Sequence, residues 1–131
     1  MKTTETSHFW LGRFPSMKRL AAYFAEVYGE DDEDDEPTAV SEFARDQGES
    51  WYDHDFLEYG YSETCTSVEE LVTGYSYHEQ WRAELAERAR HAGLAVSNTV
   101  VFISEDQISQ PRSVDGAGYE LQYLGTITYR I

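Results

Sequence analysis

One cysteine, ten basic residues and no long apolar run set the first limits on this chain of 131 residues. Cys65 has no second thiol to pair with, so no internal disulfide can form and a reducing compartment is the expected setting. Residues 1–10, MKTTETSHFW, lack the apolar core of a signal peptide, and no run approaches the roughly 20 residues that span a bilayer. A cytoplasmic protein is expected. Lys and Arg number 10 against 25 Asp and Glu, which gives a formal charge of −15 with no basic stripe to offset it. A polyanion is repelled by such a surface, so nucleic acid and anionic membranes are disfavoured as direct ligands.

Catalytic signatures are lacking as well. There is no C-x-x-C, and His8, His78 and His91 show no zinc-type spacing. Neither a Gly-rich phosphate loop nor a G-x-S-x-G elbow occurs. Cys65 sits among threonines with no adjacent base to activate it. No catalytic residue, metal or cofactor is expected.

What is present is aromatic and acidic. Aromatic residues reach 15%, ten of them tyrosine, enough to argue against wholesale disorder in spite of the charge. The length suits one domain, residues 1–131, with a core that needs no staples. Residues 8–13, HFWLGR, read as a strand. From Ser16 as N-cap, Met17, Leu20, Ala21, Phe24 and Val27 mark one face of a helix ending near Gly29. The acids EDDEDDE at 30–36 repel one another, and a solvated loop over 29–37 is expected, closed by Pro37. A short helix over 38–47 turns Val40, Phe43 and Ala44 inward and stops at Gly48. Residues 50–61 alternate imperfectly, part strand and part irregular.

Two capping boxes follow. Ser67-Val-Glu-Glu70 opens a helix ending at Gly74, and Ser76-Tyr-His-Glu79 opens the longest helix, to about His91. Trp81, Leu85, Ala89 and Ala92 form its apolar stripe, Glu84 and Arg88 an i,i+4 pair, and Gly93 its C′ residue. Residues 99–104 and 119–131 read as strands, with a bulge or bend at Gly125 and a loop over 110–118. The order gives an α+β fold, a mainly antiparallel sheet with helices packed on one face.

Three features are candidates for function. Asp53-His54-Asp55 offers metal-ligand chemistry, yet an extended triplet sends His54 to one side and both aspartates to the other. Strand-end hydrogen bonding is the plainer reading. The acidic run carries no EF-hand spacing; it is either a solvated loop or an element that speeds encounter with a cationic partner. Trp51, Tyr52, Phe56, Tyr59, Tyr61, Tyr75 and Tyr77 lie among acids, and those that are exposed would suit a basic protein patch. The partner-binding residues expected are therefore Asp31, Asp32, Glu33, Asp34, Asp35, Trp51, Tyr52, Asp53, Asp55, Glu58 and Tyr59.

Two blocks, HFWLGRF at 8–14 with Tyr23-Phe24 in the helix after it, and SEFARDQGESWYDHDF at 41–56, resemble the bacterial immunity protein 22 family. Residues 123–129 with Gly125 are similar too, while 64–118 add little motif. The resemblance implies an α+β fold without enzymatic activity and a role in neutralising the toxic domain of a polymorphic toxin encoded beside it. It does not carry over the partner or an inhibitory site. Nuclease toxins hold a polyanion in a basic cleft, so an acidic protein that occludes such a cleft is the mechanism expected. Two rival readings are a small metal-dependent hydrolase using Asp53, His54 and Asp55, and an acidic adaptor unrelated to toxins.

Overall fold

Strand and helix alternate through the computed structural model, which describes residues 3–26, 40–64, 67–94 and 96–131. Strands β1 (Thr4–Arg13), β2 (Leu57–Tyr61), β3 (Thr99–Ser104), β4 (Val114–Gly116) and β5 (Tyr119–Arg130) form an antiparallel sheet in the order β2-β3-β1-β5-β4. Helices α1 (Met17–Phe24), α2 (Glu42–Asp46), α3 (Val68–Val72) and α4 (His78–His91) pack on it, and 3-10 turns lie at His54–Phe56 and Glu105–Gln107. The fold is α+β.

The helices cover both faces of the sheet, where the sequence suggested one. Phe9, Leu11, Val100 and Phe102 meet α3 and α4 through Val72, Trp81 and Leu85. On the other face Trp10, Val101 and Ile103 meet α1 and α2 through Leu20, Tyr23 and Phe43. The physical reason is visible in β1 and β3. Phe9, Trp10 and Leu11 are buried in succession, as are all six residues of β3. Successive side chains point to opposite faces, so such a run stays dry only between two layers.

Gly125 is the bulge that lets one strand serve both layers. The β1–β5 register shifts between His8↔Thr126 and Trp10↔Tyr123, which sets Leu124 and Gly125 together opposite Phe9. Gly125 takes φ +93, in the range glycine tolerates. One inserted residue reverses the facing of all that follow. Hence Leu121 joins the α1–α2 layer, while Ile127 and Tyr129 join the α3–α4 layer.

Caps explain most helix starts. The side chains of Ser16, Ser41 and Ser67 accept the N–H groups of Arg19, Ala44 and Glu70. Several bounds differ from those read in the sequence. Helix α1 ends at Phe24 rather than near Gly29; α2 starts at Glu42 rather than 38; α3 stops at Val72 rather than Gly74. Ser76 does not cap α4: the N-cap is Tyr77 in a left-handed conformation, φ 59. Ser76 is used otherwise, its N–H donating to Glu58 and its carbonyl accepting the Trp81 indole N–H. Ala92 is exposed, and Leu94 is buried in its stead. The stretch 110–118 contains the short strand β4. Val27, Gly29, Pro37, Thr38, Cys65 and the acidic run lie outside the described residues. Among those described, no helix is long and apolar enough to cross a membrane.

Candidate functional site

Because β1 runs antiparallel to both β3 and β5, and β3 to β2, one end of the sheet gathers two strand starts and two strand ends. Glu5 lies at the start of β1, Asp53, Asp55 and Glu58 around the start of β2, and Glu105 and Asp106 just past β3. Sheet topology thus collects six carboxylates that are dispersed along the chain.

The loops that carry these acids are held by side chains rooted in the sheet and in α2. The Asp53 N–H donates to the Gln107 side chain at 2.8 Å, joining the two 3-10 turns. The buried His8 ring lies within hydrogen-bond distance of the Glu105 carbonyl at 3.1 Å and the Ile108 carbonyl at 3.0 Å through Nε2, so that nitrogen carries the hydrogen. Gln47 bonds the backbone of Arg112 twice, and the Trp10 indole donates to the same carbonyl. Such anchoring lets a charged loop meet a ligand with little ordering cost.

Between β1, β2 and the Ser76–Tyr77 turn lies a cleft of about 180 Å³. Glu5, Asp55 and Glu58 line it together with Phe56, Tyr77 and Tyr129, and among the described residues no Lys, Arg or His contributes to its wall. Ser7, Phe102 and Ser104 form its buried floor. The Ser7 and Tyr129 hydroxyls share a hydrogen bond of 2.9 Å, and the Tyr77 and Tyr129 rings lie 5.8 Å apart. The Tyr129 phenol is raised above its ordinary value, chiefly by burial; Glu5 and Glu58 push the same way, against the Ser7 hydrogen bond. The cleft therefore opposes negative charge.

Of the residues singled out in the sequence, Asp55 and Glu58 line this cleft. Trp51 is 56% exposed just before the first 3-10 turn. Asp53 caps that turn, its carboxylate accepting the Asp55 N–H at 3.0 Å. Tyr52 is 1% exposed in the α1–α2 core, edge-on to Phe43, which removes it from the surface. Tyr59 faces the same layer and stacks on Phe24 at 4.2 Å. Asp31, Asp32, Glu33, Asp34 and Asp35 lie outside the described residues. His54 meets Glu26 at 3.0 Å and Asp55 at 3.6 Å. Among the described residues no three His, Cys, Asp or Glu side chains are grouped to hold a metal ion. Glu5, Ser7, Ser104 and Tyr129 were missed in the sequence because strand order alone brings them together; Tyr77 was noted only as one of many aromatics.

Neither the curated proteins nor the solved structures yield a match. The sequence model of one family, described as Immunity protein 22, matches residues 8–130, a span that runs from β1 to the last residue of β5. The chain belongs to the Immunity protein 22 family.

Proposed function

We propose that this chain is a non-enzymatic immunity protein of one domain that binds a cognate bacterial toxin domain in the cytoplasm and occludes its basic active site. Family membership supports the toxin-neutralising role. The observation that carries the mode of binding is the acid-lined aromatic cleft, whose wall, among the described residues, holds the carboxylates of Glu5, Asp55 and Glu58 and no cationic side chain. Trp51 and Phe56, both more than half exposed, supply apolar area beside those acids. A nuclease is the toxin class that fits best, since its cleft is basic in order to hold a polyanion. An acidic protein competes there with the nucleic acid and is steered to it by charge.

The test is co-expression with the toxin domain encoded beside this gene, followed by co-purification. Restored growth and a one-to-one complex are expected, with loss of nuclease activity in that complex. Growth arrest with no complex contradicts the proposal. A complex with a toxin of different chemistry retains immunity and refutes the nuclease assignment.

A further inference from the structure

Resting on the reading that the partner is basic, we infer that the cleft at the β1–β2 end of the sheet receives a single arginine side chain from it. Size is the first argument. Sites for small molecules run from roughly 300 to 1,000 Å³, and this cleft, at about 180 Å³, is on the scale of one side chain.

Wall chemistry is the second. A guanidinium offers a flat face and a fork of N–H donors. The rings of Phe56 and Tyr77, 51% and 50% exposed, flank the entrance and suit the flat face. The carboxylates of Glu5, Asp55 and Glu58 suit the fork. Glu58 uses one oxygen to accept the Ser76 N–H, which leaves a second for a ligand.

The floor adds an open hydroxyl. Ser104 is only 7% exposed and pairs with Ser7 across β1 and β3. Strand alternation puts it on the Phe102 face, toward the cleft that both line. No hydrogen bond from the described residues engages its hydroxyl, and none of their fully buried side-chain N or O atoms lacks a partner, so that hydroxyl is open to the cleft. A hydroxyl open to the cleft can accept from an N–H donor that enters it.

Two measurements separate the inference from the reading beneath it. The first needs no toxin: N-acetyl-arginine amide is titrated into the free protein by amide NMR, with the neutral isostere N-acetyl-citrulline amide as control. Saturable shifts at Glu58, Tyr77, Ser104 and Tyr129 with the arginine probe alone are expected. Absence of shifts, or equal shifts with citrulline, overturns the inference. The second compares toxin affinity of Glu58→Gln and Ser104→Ala with wild type, each checked for an unchanged thermal transition. Weakening on the order of tenfold or more in Glu58→Gln, and a smaller loss in Ser104→Ala, is expected. A wild-type complex that neither variant weakens overturns the arginine site and leaves immunity standing.

Discussion

Asp46 shows how much one side chain can hold. Its Oδ2 accepts the hydroxyl of Tyr23 at 2.8 Å and that of Tyr119 at 2.7 Å, tying α1 and β5 to α2. Arg19 lies 5.0 Å over the Tyr119 ring and pairs with Glu42, closing the same corner. Removing the acceptor leaves the buried Tyr23 hydroxyl unsatisfied, so Asp46→Ala should lose about 1–3 kcal/mol in urea unfolding. The corner also gives a pH dependence. Burial, then the bond to Asp46, pushes Tyr119 up to about 12 and raises Tyr23 further. A raised value means that the folded state holds the proton more tightly. Stability from these groups is thus complete below pH 10, the ordinary tyrosine value, and is lost as pH climbs from 10 through 12. Unfolding midpoints measured across that range should fall, and fall less in Tyr119→Phe.

At the scale of elements, the bulge in β5 depends on helix α4. Nη1 of Arg88 donates to the carbonyls of Leu124 at 3.0 Å and Thr126 at 2.8 Å, on either side of Gly125. Glu84 steadies the guanidinium from the preceding turn at 3.0 Å. Arg88→Ala strips both carbonyls of their donor and should cost about 1–3 kcal/mol. Glu84→Ala removes only a half-exposed ion pair and should cost less than about 1 kcal/mol. Equal losses in the two variants would show that the ion pair, not the bulge, is what Arg88 serves.

The same elements show what the sequence could and could not say. Ser16 and Ser67 are legible as caps because each supplies a local hydrogen bond, and the α4 stripe because its spacing is local. Ser41, the cap of α2, was passed over for a start at residue 38. Ser76 fits the capping pattern equally well, but Glu58 and Trp81, distant or buried, claim its backbone instead. Tyr52 and Tyr59 have the composition of a contact surface. Phe43, reached only through the fold, makes Tyr52 core, and Phe24 half-buries Tyr59. Asp55 and Glu58 could be nominated from composition. Their union with Glu5, Ser104 and Tyr129 follows from strand order, which no local pattern encodes.

For the whole molecule, a formal charge of −15 should govern the rate at which a basic partner is found. Association with the toxin domain should be fast at low salt and fall steeply as salt is added, with dissociation changing much less. Replacing Asp31, Asp32, Asp34 and Asp35 with Asn should slow association and flatten that salt slope if the acidic run takes part in steering. An unchanged slope, read by stopped flow, would confine the steering field to the rest of the surface. The most direct test is hydrogen exchange on the complex with the cognate toxin domain, compared with the free chain. Slowed exchange is expected around residues 53–58, 76–77 and 104–107, at the acidic end of the sheet. Slowing confined to the opposite end, around Arg13, Gly118 and Glu120, would contradict the proposed mode of binding.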